Sequence, residues 1–385
     1  MNLDAGQLLP LAPPRAAYIH VPFCRHRCGY CNFTLVAGRD DLVEAYLDAL
    51  ERELSWLEQP RPVDTLFLGG GTPTHVSAPQ LQRLLDLVTR WFPLASGGEF
   101  SVEANPVDLG ATHKNAALRR AGVTRVSLGV QSFDPPTLEL LERDHRESEI
   151  RRAAEMARSI AQTVSLDLIF GVPDEPLAVW QCDLEQALSL QPDHLSTYGL
   201  TFEKGTAFWS RLSHGELART AEDLERQMYE LAIDTLAAAG YEHYEVSNFA
   251  RPGHRCRHNE NYWLGGQYYA AGPGAARFIA GRRETNHRST TTYIQRMLAG
   301  QSPVAESEQL GREDAARERL VFALRRLEGI DVDAFAAATG FSVQQLGGDA
   351  LTRFIDQGLL DCSGSRLRLT RQGLLVSDAL WPSFL

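Results

Sequence analysis

The chain has 385 residues, 44% of them hydrophobic and 23% charged, enough for one large and one smaller globular unit and little disorder outside the ends. Its formal net charge of −11 argues against non-specific nucleic-acid binding, which needs a positive surface to displace counterions from phosphates. Six cysteines with three clustered in residues 24–31 make a poor disulfide framework at this length and point to free or metal-bound thiols in a reducing compartment.

Residues 1–15 are expected to form an N-terminal tail. They lack a basic start, and Pro10, Pro13 and Pro14 interrupt their one apolar run, so they read as neither a signal peptide nor a membrane span, and the chain reads as cytoplasmic. From about residue 16 to 202, short aliphatic runs alternate with helical stretches, as in βα units around a parallel sheet. The strand candidates are "AAYIHVPF", "TLFLGGG", "EFSVEAN", "TRVSLGVQS", "SLDLIFGVP" and "HLSTYGLTF". In "DLVEAYLDALERELSWL" Val43, Tyr46, Leu47, Leu50, Leu54 and Leu57 recur at helical spacing, which predicts an amphipathic crossover helix. Further helices are expected over 78–92, 111–121, 147–162, 176–190 and 218–240.

Six such units without a GxGxxG loop favour a barrel or partial barrel, whose chemistry gathers at the C-terminal ends of the strands. The polar residues follow that rule. Cysteines 24, 28 and 31 come after the first strand; Gly69, Gly70, Gly71 and Thr72 end the second; Glu103 and Asn105 end the third; Gln131 ends the fourth. Asp167 lies in the fifth strand, and Tyr198 and Gly199 in the sixth.

From about residue 310 the pattern turns to helix, helix and a small hairpin around "CSGS", similar to a winged-helix module. Residues 311–385 carry nine arginines, no lysine and ten acidic residues, which favours a lid or docking role over DNA binding. The expected domains are a barrel with an extension over 16–280, a connecting segment over 281–310 and a C-terminal domain over 311–385.

Cys24, Cys28 and Cys31 are spaced C-x3-C-x2-C. A structural zinc site needs a fourth ligand and usually pairs two C-x2-C elements. Covalent c-type heme attachment needs C-x-x-C-H, and Asn32 stands where its histidine belongs. A four-iron cubane held by three cysteines leaves one iron open to a small molecule.

This spacing after the first strand of a six-unit βα chain, with Tyr30 before the last cysteine and "GGGTPT" after the second strand, resembles the radical S-adenosylmethionine superfamily. The resemblance implies a partial (βα)6, TIM-like α/β barrel with a mainly helical, winged-helix-like C-terminal domain. It also implies a 4Fe-4S cluster on Cys24, Cys28 and Cys31, with S-adenosylmethionine chelating the open iron and cleaved to a deoxyadenosyl radical. Tyr18, Tyr30, Gly70, Gly71, Thr72, Glu103, Gln131, Arg143, Asp167, Gly199 and Ala276 are then expected around S-adenosylmethionine. The glycines would let backbone approach the ligand's methionine end, and Glu103 would accept from its amino group or ribose. Arg143 in "LLERDHR" is either a ligand to the cofactor or a solvated helix charge.

"YIHVPFC", "SVEANP", "RVSLGVQSF", "DLIFGVP" and the C-terminal module further resemble the oxygen-independent coproporphyrinogen III oxidase family, HemN and its HemW relatives. Two functions compete within it: radical decarboxylation of propionates, and a heme chaperone passing heme to acceptor proteins. Phe33 replaces a fourth oxidase cysteine, only 23 residues precede Cys24, and "HNENYW" fits the HNxxYW motif of the chaperone branch. His258, Asn259, Tyr262, Trp263 and Cys256 are accordingly expected at heme, His258 or Cys256 as axial ligand and the two aromatics beside the macrocycle. Where relatives read "GPGAHS" this chain has "GPGAAR", which makes Arg277 a candidate partner for a propionate. An electron donor is implied, and peripheral contact with a membrane is left open.

Overall fold

The computed structural model describes residues 13–110 and 112–385; the tail expected over 1–15 lies almost wholly outside the described residues. Six strands succeed one another with helices between them: β1 (Ala16–Val21), β2 (Val63–Gly70), β3 (Leu94–Ala104), β4 (Arg125–Gln131), β5 (Thr163–Phe170) and β6 (His194–Gly199). Each is paired in parallel with the next. Six crossover helices occur where hydrophobic periodicity predicts them: α1 (Val43–Ser55), α2 (Ala78–Trp91), α3 (Thr112–Arg120), α4 (Glu147–Ile160), α5 (Leu177–Ser189) and α6 (Glu222–Ala238). The aliphatic strand sequences follow from this arrangement, because a parallel strand has one face on the helices and the other inside the barrel. In α1, Tyr46, Leu47, Leu50 and Leu54 are buried, while Glu44, Asp48 and Glu51 pair with Arg83 of α2 on the outer face.

The sheet is larger than the six strands. β7 (Glu242–Glu245) and β8 (Asn248–Ala250) extend it antiparallel beyond β6. On the other edge β9 (Tyr268–Ala271) pairs in parallel with β1, followed antiparallel by β10 (Ala276–Ile279), β11 (Arg282–Asn286) and β12 (Val304–Gln309). The result is one 12-stranded sheet. Residues 281–310, expected as a connecting segment, thus contribute two strands and the helix α8 (Thr290–Leu298), which packs on α1.

Between β8 and β9 runs α7 (Arg257–Trp263), the "HNENYW" stretch. The C-terminal region holds α9 (Arg312–Leu324), α10 (Val332–Thr339) and α11 (Val343–Asp356), then a hairpin of Leu360–Ser363 and Arg366–Leu369 turning through Gly364 at φ +63°. It has its own apolar cluster around Leu320, Leu324, Leu351, Leu367 and Phe384. Among the described residues, no helix is long and apolar enough to cross a membrane.

Candidate functional site

The loop after β1 is pinned at both ends. Phe23–Cys24 pairs in parallel with Val36–Ala37, and the Cys31 amide donates to the Cys28 carbonyl at 3.0 Å. Gly29 sits against Phe208, where a Cβ would come within 2.7 Å of the ring, and Tyr30 packs edge-on against the same ring. All three cysteine side chains border one cavity of about 600 Å³ at the C-terminal ends of the barrel strands. Cys24 is buried and its thiol lies 3.5 Å from the Thr72 hydroxyl. Burial pushes the Cys24 thiol up to about 11 and the Cys31 thiol upward too, so thiolates there need a cationic partner.

Arg143 answers part of that need. Its Nη1 donates to Cys28 Sγ at 3.6 Å, and its Nη2 donates to Asn105 Oδ1 at 2.6 Å and to the Gly129 carbonyl at 2.9 Å. It is an inward-facing cation rather than a solvated helix charge, and its Nε is buried without a hydrogen-bond partner. Asn105 in turn donates to the Thr72 hydroxyl at 3.0 Å, which links the ends of β2 and β3 to the cysteine loop.

Glu103, Gln131, Asp167 and Gly199 line the same cavity, as do Gly70, Gly71 and Thr72. The Glu103 carboxylate accepts the Gly70 amide at 3.0 Å; desolvation raises its pKa to about 8, with Asp167 adding repulsion. Gln131 has φ +70°, a left-handed conformation at a register shift in β4 that ends the strand over the cavity. Both oxygens of Asp167 are within 3.0 Å of the Ser127 hydroxyl. The glycine run is required by the protein itself. A Cβ at Gly70, which has φ +107°, would collide with the His20 ring, and one at Gly71 would lie 2.8 Å from the Phe23 and Val21 carbonyls. The amides of Gly70, Gly71 and Thr72 are already paired with Glu103, Val21 and Phe23.

This donor set fits a cluster and a charged cofactor. Three thiols, a carboxylate with one hydrogen bond and an arginine with an unpartnered buried nitrogen face one cavity. Among the described residues, no three His, Cys, Asp or Glu side chains form the shell of a single ion, whereas a cubane needs its thiolates on separate irons.

The α7 helix lies at the other end of the barrel. His258 is 1% exposed, with Nδ1 2.9 Å from the hydroxyl of Thr65 in β2 and Nε2 2.9 Å from the Tyr262 hydroxyl. Five strand residues at about 3.3 Å each separate Thr65 from Gly70, so this floor lies about 16 Å from the cysteine mouth. Glu99, at the start of the inner part of β3, accepts from the amides of Arg257 and His258, both at 3.1 Å, and from the Cys256 thiol at 3.6 Å. Desolvation lowers the His258 pKa to about 3 and raises that of Cys256 to about 12. Tyr262 and Trp263, one turn on, border a second cavity of about 420 Å³ against the C-terminal domain.

The profile of the Radical SAM superfamily matches residues 18–181, and that of the HemN C-terminal domain matches residues 310–376. A curated Bacillus subtilis protein named "Heme chaperone HemW" is 36% identical over 96% of this chain and 99% of its own length. The Escherichia coli protein of the same name is 37% identical, covering 97% of this chain and 98% of its own, and one from Mycobacterium tuberculosis is 39% identical. The chain belongs to the HemW family. In fold it is similar to the solved coproporphyrinogen III oxidase (HemN) from Escherichia coli, with a TM-score of 0.85 at 23% identity, covering 97% of this chain and 90% of that one.

In this HemW-family chain most residues expected at the cofactor mouth do meet there, and two do not. Tyr18 lies below the cavity with its hydroxyl 3.0 Å from His20 Nδ1, while His20 Nε2 is 2.6 Å from the Thr34 carbonyl. That chain braces the cysteine loop. Ala276 opens β10 opposite Thr285 and does not border the cavity. The expected heme residues divide: Tyr262 and Trp263 face the second cavity, His258 and Cys256 are tied into the floor, and Asn259 is half-buried on α7 away from both. Arg277 is no free propionate partner, because its guanidinium pairs with Glu284 at 2.6 Å and with the buried Glu53 at 3.7 Å. Sequence reasoning missed Ser127 and Glu99 altogether; their partners are 40 and 157 to 159 positions away, and no local spacing marks them. Cys182 and Cys362 are exposed free thiols.

Proposed function

We propose that this chain is a heme chaperone of the HemW type, binding heme, a 4Fe-4S cluster and S-adenosylmethionine in the cytoplasm and passing heme to acceptor proteins. The carrying observation is near end-to-end similarity to curated heme chaperones, with α7 bearing "HNENYW" and Phe33 standing exposed after the last loop cysteine.

Cys24, Cys28 and Cys31 would hold the cluster, and Arg143 would offset thiolate charge at Cys28. Glu103 offers a desolvated carboxylate to an amino group. Asp167, held by Ser127, offers a second acceptor, and Gln131 an amide. A cluster held by these cysteines would, once reduced by an electron donor, supply the one electron that cleavage of the sulfonium bond of bound S-adenosylmethionine requires. The residues around it hold the loop in place: Phe208 backs Gly29 and Tyr30, Arg143 reaches Cys28, and Asn105 acts through Thr72 on Cys24.

The test is anaerobic. After cluster reconstitution, heme and coproporphyrinogen III are offered separately with reductant and S-adenosylmethionine. Saturable heme binding, transfer to an apo-hemoprotein and no carbon dioxide release are expected. Carbon dioxide released from the porphyrinogen overturns the reading in favour of the decarboxylase.

A further inference from the structure

The second cavity has a composition that no role above uses. Its walls are aromatic and apolar: Tyr262 and Trp263 from the end of α7, Tyr268 and Phe278 from β9 and β10, and Phe322 from α9. Trp263 lies 6.2 Å from Phe322, centroid to centroid, and its indole Nε1 is buried without a hydrogen-bond partner.

One face of α9 completes the lining. Arg312, Ala315, Arg319 and Phe322 follow at helical spacing, so two arginines flank a small residue on the cavity side. Seven residues at about 1.5 Å rise place the two arginine Cα atoms about 10 Å apart along the helix. Arg283, the third arginine at this cavity, is committed to Glu308 at 2.7 Å and to Glu318 at 2.5 Å. Among the described residues, the guanidiniums of Arg312 and Arg319 have no ion-pair or hydrogen-bond partner. Gly265, with φ +67°, leaves room for the Arg319 stem, which would lie 3.3 Å from a Cβ there.

An apolar cleft with flat aromatic walls and two uncommitted guanidiniums on one side suits a flat apolar molecule with carboxylates on one edge. We propose that this cavity, between α7 and the C-terminal domain, is where heme binds, its propionates on Arg312 and Arg319 and its ring against Trp263 and Phe322. The proposal rests on the chaperone reading. It moves the heme contacts from His258 to a wall half made by the C-terminal domain, at the end of the barrel away from the cysteines.

The test titrates heme, and separately heme dimethyl ester, into the full cluster-loaded chain and follows the absorbance change. The double variant Arg312→Glu/Arg319→Glu reverses both charges, one exposed and one half-buried, and circular dichroism and thermal unfolding check that it stays folded. It is expected to weaken heme binding by about ten-fold or more while leaving the ester, which lacks carboxylates, bound as in wild type. Ala315→Trp, which fills the cavity, should block both ligands. Heme binding of wild-type strength in both variants overturns the cavity assignment but leaves the chaperone reading standing; absence of heme binding by the wild-type chain overturns both.

Discussion

The guanidinium of Arg143 reaches the sulfur of Cys28 at 3.6 Å, from a position 115 residues further along the chain. The contact joins the β4–α4 connection to the cysteine loop and puts a permanent positive charge beside a thiol that would have to ionise to hold iron. Arg143→Gln is expected to keep the fold and to lose iron to a chelator about ten-fold faster than wild type, since a charge-assisted contact is worth roughly 1.5–3 kcal/mol. Iron and sulfide content over time decide it, and an unchanged loss rate removes Arg143 from the cluster's support.

Glu103 makes the mouth sensitive to pH before any ligand arrives. Its pKa is raised to about 8 by burial, against about 4.3 in an unfolded chain. The groups it feels are the Gly70 amide and Asp167, with Tyr18 and Tyr198 near enough to feel it in turn. A raised pKa favours the folded state below about 4.3 and loses that contribution as pH rises through about 8. The apo chain should therefore lose stability relative to Glu103→Gln between those limits and show no further divergence above them. Thermal unfolding of both proteins from pH 5 to 9 measures this, and parallel curves would sink it.

Glu99 organises the floor as Arg143 organises the mouth. In Glu99→Ala the amides of Arg257 and His258 and the Cys256 thiol all lose their acceptor in a buried setting. The expected destabilisation is about 2–4 kcal/mol in denaturant unfolding, above that of an ordinary cap loss, because several donors are orphaned together. Glu99→Gln, which keeps one acceptor oxygen, should fall between. Equal stability of the alanine variant and wild type would show that α7 needs no such anchor.

Arg277, in the position where related sequences carry the serine of "GPGAHS", forms ion pairs with Glu284 and Glu53. Glu53 is held inside the protein by the Tyr293 hydroxyl at 2.6 Å, the Asn286 amide at 2.8 Å and the Gly272 amide at 2.9 Å. Arg277→Ala should cost about 1–3 kcal/mol by leaving a buried carboxylate less compensated. Heme affinity should stay within about two-fold of wild type, as expected for a residue outside the cavity. A large drop in heme titration with unchanged stability would reverse this assignment.

Much of the barrel was legible in the chain because its signals are local. The periodicity of Val43, Tyr46, Leu47, Leu50 and Leu54 marks α1, the aliphatic runs mark β1 to β6, and polar residues recur where strands end. The extra parallel strand β9 was not legible: "YYAA" is short, and its partner β1 lies some 250 residues earlier.

By itself the sequence determined the order of βα units, the C-x3-C-x2-C spacing of Cys24, Cys28 and Cys31, the family resemblance and the phenylalanine at position 33. Local spacing encodes all of these. Tertiary structure alone decided that Arg143 turns inward, that Arg277 is spent on Glu53 and Glu284, and that His258 has both ring nitrogens engaged at the floor. It also decided that Trp263 shares a cavity with Arg312 and Arg319. Such facts depend on which side chains meet across the fold and which charges are neutralised there. Burial and pairing between distant positions set them, and no spacing along the chain records that.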